Sequence, residues 1–322
     1  MLWAPASLVG LPCAALLILA PTSAPSAATA GSASGAGGRG WRGWGGLSQT
    51  IAGMLGAVSA ALLVVGGGSG GRLAAVTSAY IVLATAAFVS LVLLRPDAIL
   101  RQAVRSVVAA GLVCGLLIQV MWGSEAWAGL AWEATRQASL AMRTIIEVAP
   151  DAFPIYEPTV RFMSLTWPGM LALQTLAGLA LAWQVYVRIA AGVAPAEQRA
   201  PAPPLTRFKD FNIGDGWVWG IVAWLGLLIL PVSRALHIAG ANVGLVAGTL
   251  YVLRGAAIVA TFAEAFGVSA LALVLMAAAA AALAVPLLFV LPGLCTLGIT
   301  DTWYQYRRRL AAARQGPRSN TT

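Results

Sequence analysis

Long apolar stretches alternate with short polar ones along most of the chain. Apolar runs fall at about 2–20, 47–65, 74–94, 104–121, 165–190, 217–233, 243–263 and 269–292. Each is close to the roughly 20 residues that an α-helix needs to cross a bilayer. Lipid offers the backbone no hydrogen-bond partners, so runs of this length predict helices. The pattern therefore predicts an all-α fold, a polytopic transmembrane helical bundle of about eight membrane-embedded helices.

The breaks between runs have their own chemistry. GGGSGGR at 66–72 reads as a tight connector. In RPDAILRQAVR at 95–105, Pro96 stops the preceding helix. PAEQRAPAPPL at 195–205 reads as a proline-stiffened surface loop. Residues 21–46 are rich in Gly, Ala and Ser and end in RGWRGWGG. Such composition predicts a flexible connector, with Trp41 and Trp44 as anchors in a headgroup layer. The tail APTSAPSAATA after the first run looks like a signal cleavage region, yet no Lys or Arg precedes that run. A first membrane helix is the preferred reading and a cleaved signal the alternative. The organisation is thus a first helix and connector over 1–46, a bundle over 47–310 with a polar insertion at 122–164, and a basic disordered tail over 311–322.

Within that insertion, WEATRQASLAMRTIIEV at 132–148 can form a helix on the membrane surface. Glu133 then faces Arg136 or Gln137, and Arg143 faces Glu147. An ordinary solvated helix is the equal alternative. The topology is awkward. Arg307, Arg308, Arg309, Arg314 and Arg318 place the C-terminus on the cytoplasmic side, and Arg199, Arg207 and Lys209 place the 191–215 loop there too. Two cytoplasmic ends need an even number of crossings, but three runs lie between them. Pro286 and Pro292 make the last run the one expected to be broken.

Composition agrees with lipid as the main solvent. The hydrophobic share is 59%, the charged share 10% and the mean hydropathy +0.82. Soluble domains carry about 25% charged residues. The net charge of +9 suggests nucleic acid, but the basic residues are scattered between apolar runs and form no single face. No nucleic-acid partner is expected. Only Lys209 among the 20 basic residues is a lysine, and Ala and Gly abound, which suggests a GC-rich bacterial source and the bacterial cytoplasmic (inner) membrane. Cys13, Cys114 and Cys295 lie far apart in apolar surroundings and read as free buried thiols. His237 is the sole histidine, so neither a zinc site nor a triad is expected. GxxxxGKS and HExxH are absent. No enzyme activity, metal or cofactor is expected.

Few polar residues interrupt the apolar runs, and they are the candidates for function. Arg254 lies inside YVLRGAAIVATF, where a charge costs about 3 kcal/mol at a bilayer centre. It must face protein, water or a ligand. Asn242 opens the same run and Glu264 closes it. Arg254 and Glu264 are roughly 15 Å apart along a helix and cannot pair within it. Asp301 or Asp215 from elsewhere is the expected partner. A structural salt bridge, a polar ligand pocket and a proton relay all remain open. Asn242, Arg254, Glu264 and Asp301 are the tentative ligand-binding set. Asp215 is expected to cap the helix that starts near Gly216, or to lie on a docking loop. In GLCTLGITDTWYQYRRRL at 293–310, Trp303, Tyr304 and Tyr306 form an aromatic collar. Arg307, Arg308 and Arg309 follow in the anionic headgroup layer. Asp301 then reads as a local salt-bridge partner.

These residues also carry a resemblance. ANVGLVAGTLYVLRGAAIVATF, LGITDTWYQYRRRL and PPLTRFKDFNIGDGWVWG resemble the carboxy-terminal half of the YybS-like bacterial membrane proteins. The similarity covers about 160–310 and fades over 47–121. In that family an Asn opens a span, a polar residue and Gly sit mid-span, and an Asp leads into an aromatic, arginine-rich exit. The family usually has Gln where this chain has Arg254. The family is of unknown function. Its helix pattern is similar to that of substrate-binding subunits of energy-coupling vitamin transporters, and to that of a small membrane protein of the rod-shape system. The resemblance implies a transport-related protein that binds a small polar solute between helices, with energising transporter subunits as partners. The alternative is a non-catalytic scaffold for cell-envelope, cell-shape or division machinery, with envelope proteins as partners. Contact with the lipid bilayer is expected either way.

Overall fold

The computed structural model describes residues 4–19, 71–94, 98–148, 150–193, 207–231, 233–282 and 287–315. Trp41, Trp44, the expected run at 47–65, the 195–205 loop and Pro286 lie outside the described residues. The chain divides into two compact units, residues 1–205 and 206–322, where the sequence reading has one bundle over 47–310. Among the described residues every regular element is helical. Among the described residues four helices are long and apolar enough to cross a membrane: Gly71–Leu94, Ile99–Trp122, Phe153–Ile189 and Arg234–Ala265. Among the described residues the fold is all-α, with helices of a length and composition suited to a membrane.

The first unit contains α1 (Ala4–Leu19), α2 (Gly71–Leu94), α3 (Ile99–Trp122), α4 (Glu125–Val148) and α5 (Tyr156–Val193). Helices α2 and α3 form an antiparallel pair. Gln102 Nε2 donates to Leu91 O at 3.4 Å, Tyr80 Oη to Val107 O at 3.5 Å, and Cys114 Sγ to Val76 O at 3.9 Å. As one number rises the other falls. Leu73, Val76, Tyr80, Ala84 and Phe88 line the buried face of α2 at helical spacing. Helix α1 packs on α5 where Gly178 admits Leu8, since a Cβ there would stand 2.8 Å from the Leu8 Cβ. Cys13, Leu17 and Ala182 continue that contact.

The polar insertion is ordered. Helix α4 runs from Glu125 to Val148, and the 3-10 turn Pro150–Ile155 leads into α5. The buried stripe of α4 is Ala126, Leu130, Ala134, Ala138 and Met142, one residue per turn. Leu140 and Ile145 are exposed and take no part in it. Glu133 does not stay on its own helix as expected. Its carboxylate accepts from the N–H of Leu73 at 2.7 Å and of Arg72 at 3.2 Å, capping the open end of α2 from outside. Gly71 stands there at φ +63, and a Cβ would lie 3.0 Å from that carboxylate. The other half of α4 meets the first turns of α5 through Met142, Val160, Tyr156 and Met163. Helix α4 therefore lies across the ends of two long helices.

The second unit contains a strap at 207–217 with two 3-10 turns, Phe208–Asp210 and Asp215–Trp217. Helices α6 (Val218–Ile229), α7 (Arg234–Ala265), α8 (Ala270–Ala282), α9 (Leu287–Tyr304) and α10 (Tyr306–Gln315) follow. One expected run is corrected. The run at 217–233 becomes a helix of 12 residues. Pro231 forbids helical geometry at the residue before it, and Leu230 is extended at φ −73, ψ 142. The run at 269–292 is helical over Ala270–Ala282 and again from Leu287, with residues 283–286 outside the described residues. Pro292 sits inside α9, which continues through it. The tail also differs from expectation. RRRLAAARQ is built of good helix formers and is helical to Gln315.

Helix α6 lies antiparallel on α7. Leu227 packs on Gly240, Trp224 on Gly244, and Ile221 on Ala247 and Tyr251. Helices α7 and α9 touch backbone to backbone. A Cβ at Gly255 would overlap the Leu294 carbonyl, and one at Gly298 would overlap the Tyr251 carbonyl. Close approach of this kind is how small residues join helices in lipid. Gly298→Ala should therefore destabilise the protein by about 1–3 kcal/mol. Gly248→Ala, where nothing lies within 4 Å of the added methyl, should change it little. Thermal unfolding of the two variants in one detergent checks this; equal effects would contradict the packing.

Candidate functional site

The second unit is tied together at the inner end of its strap. Arg254 projects from α7 and is 3% exposed. Its Nε donates to Asp301 Oδ2 at 3.2 Å. Nη2 donates to the same oxygen at 3.1 Å and to Asp215 Oδ1 at 3.4 Å. Nη1 donates to Ile213 O at 3.3 Å and to Thr302 Oγ1 at 3.3 Å. A guanidinium has five N–H groups. All five have acceptors within this chain.

Asp301 sits on α9, also buried, with its side chain 5% exposed. Its Oδ2 serves Arg254 and stands 3.5 Å from Arg307 Nη2. Its Oδ1 accepts from the backbone N–H of Tyr306 at 3.0 Å, the first residue of α10. Between the two helices Gln305 takes φ +47, left-handed backbone that costs a non-glycine residue about 1 kcal/mol or more. The Asp301 side chain and the N–H donations of Arg308 and Arg309 to Gln305 O hold that corner. Arg307 turns inward from it. Its Nη1 donates to Lys209 O and Phe211 O, both at 3.0 Å. Lys209 Nζ in turn meets Glu264 at 2.8 Å, and Thr261 Oγ1 donates to Lys209 O at 3.3 Å. Two arginines thus clamp the strap, each through backbone carbonyls and a shared carboxylate.

The expected ligand residues do not form one site. Arg254 and Asp301 come together. Glu264 lies with Lys209 on the surface, one side chain 58% exposed and the other 31%. Asn242 does not open a helix; α7 begins at Arg234, because the polar residues before the apolar run continue the same helix. The Asn242 Nδ2 donates to Ile238 O at 2.8 Å, within its own helix. Asp215 is no N-cap either. The turn it begins has Gly214 before it, without a side-chain cap, and the carboxylate goes to Arg254. Asp301 is both the local partner of Arg307 and the long-range partner of Arg254. Arg307 belongs to the clamp rather than to a free cationic row. Sequence reasoning missed Ile213 and Thr302, and gave Glu133 partners on its own helix. Thr302 follows Asp301 directly, and Ile213 and Glu133 act through geometry that spacing does not encode. Among the described residues Tyr251 Oη, and Trp224 Nε1 over Gly244, are buried without a hydrogen-bond partner. Among the described residues no group of acidic, Cys or His side chains could hold a metal.

The two carboxylates differ in weight. Asp301 is buried, whereas the Asp215 side chain is 66% exposed and holds one longer contact. Stranding a buried charge costs about 3–5 kcal/mol, and an exposed pair contributes about 0–1 kcal/mol. Asp301→Asn should therefore lower the melting temperature sharply and Asp215→Asn barely. Thermal unfolding of both purified variants decides it, and equal losses would contradict this division.

Residues 154–302 match the model of a family described as a predicted membrane protein family, DUF2232. The matched stretch holds α5, the strap, Arg254, Asp301 and Thr302. The resemblance to YybS-like proteins is consistent with that family. No curated protein and no solved structure matches the chain.

Proposed function

We propose that this membrane protein is a non-catalytic scaffold of the bacterial cytoplasmic membrane, serving cell-envelope or division machinery. The observation that carries the reading is the saturation of Arg254. With every N–H already given to Asp301, Asp215, Thr302 and Ile213, the guanidinium has none to offer a solute. Asn242, the other proposed solute donor, is turned to its own helix. Capture of a polar solute by these two residues would first require the knot to open.

The length of α7 adds to this. From Arg234 to Arg254 is roughly 30 Å of helix, the thickness of a hydrocarbon core. Arg234 then lies at one face and Arg254 at the other. The strap, the last turns of α7 and the tail helix form a polar layer on that second face, where soluble partners are met. Both expected cytoplasmic segments, strap and tail, belong to it, which agrees with the distribution of Arg and Lys.

The test pairs two variants. Arg254→Gln alone leaves the buried Asp301 with only the longer 3.5 Å contact to Arg307 as a cationic partner, while Arg254→Gln with Asp301→Asn removes both charges of the buried pair. The double variant should regain much of the stability that the single one loses. Purified gently from its own membranes, it should carry the same envelope or division proteins as the native protein. Co-purification of native protein with an ATPase module and coupling subunit, lost in the folded double variant, would overturn the scaffold reading.

A further inference from the structure

The three consecutive arginines of the tail do different work. Arg307 is turned inward onto the strap. Arg308 and Arg309 are exposed, and neither meets a carboxylate among the described residues. Arg308 Nη1 donates to the Gln305 side chain at 3.2 Å. The Arg309 guanidinium lies 5.8 Å from the centre of the Tyr304 ring. Trp303 and Tyr304 are exposed beside them, and Phe289, Val290 and Leu291 are exposed farther up α9. One surface of the α9–α10 corner thus passes from aliphatic to aromatic to cationic.

We propose that this corner binds the phosphate headgroup of an anionic diacyl phospholipid, with Arg308 and Arg309 as the phosphate-binding pair. The order of the surface matches the order of such a lipid: acyl chains against Phe289 and Val290, the carbonyl region against Trp303 and Tyr304, the phosphate against the guanidinium groups. An acidic protein segment would match the arginines but leave the apolar and aromatic strip without a counterpart. A zwitterionic lipid brings its own cation beside the pair and loses the charge complementarity. The corner is preset. Asp301 fixes the first N–H of α10, and the left-handed Gln305 turns the two arginines out of line with α9. The site does not depend on the scaffold reading.

The test uses the full chain, delipidated in detergent and supplied with phosphatidylglycerol or phosphatidylcholine. Retained lipid is counted by native mass spectrometry, and thermal unfolding is followed in parallel. The native protein should retain phosphatidylglycerol in preference, by about fivefold for each arginine engaged. High salt should erase the preference. Arg308→Gln with Arg309→Gln should lose it while melting as the native protein does in phosphatidylcholine. Arg308→Lys with Arg309→Lys should keep most of it. Arg307→Gln should melt earlier in both lipids yet keep the preference. Equal retention of the two lipids by the native protein, or an unchanged preference in the double Gln variant, would overturn the proposal.

Discussion

A guanidinium taken out of water must give its five N–H groups to acceptors, and in this chain one buried arginine does so with residues from two other elements. Arg254 on α7 takes a carboxylate and a hydroxyl from α9, and a carbonyl and a second carboxylate from the strap. None of these partners is near it in sequence. Arg254 and Arg307 together face Asp301 and Asp215, so the knot is formally neutral. Neutrality and full donor use are what make such a cluster tolerable at low dielectric.

The rest of the second unit follows from holding that point. Helices α7 and α9 can bring Arg254 and Asp301 together because Gly255 and Gly298 let the two backbones touch one turn away. Helix α6 reaches α7 by a stripe of its own, with Trp224 seated over Gly244. Asp301 then passes the constraint on to the tail by fixing the N–H of Tyr306, and Arg307 returns it to the strap. The first unit uses a weaker version of the same device. Glu133 satisfies two open N–H groups of α2 and thereby fixes α4 across its end.

Much of this was legible in the sequence, and the reasons for the rest are physical. Apolar run length predicts the helical class, because lipid leaves the backbone no alternative. The need of Arg254 for an acid from another segment follows from the cost of a buried charge, and both named candidates, Asp301 and Asp215, are its partners. Asn242 was misread because apolar run and helix are different things. Polar Arg234 and His237 belong to the same helix, which moves Asn242 from its start to its interior. The insertion at 122–164 hid its stripe because that stripe is largely alanine, which hydropathy separates poorly from its surroundings. Glu133 has good partners on its own helix by spacing, and only the placement of α2 decides against them.

The central claim is that Arg254 holds the strap in place, and hydrogen–deuterium exchange of the protein in nanodiscs tests it directly. The peptide covering 207–217 should exchange slowly in the native protein. In Arg254→Gln it should exchange fast, while α2 and α3 in the other unit keep their rates. A strap that exchanges at the rate of a free loop in the native protein, or one whose rate Arg254→Gln leaves unchanged, would contradict the account.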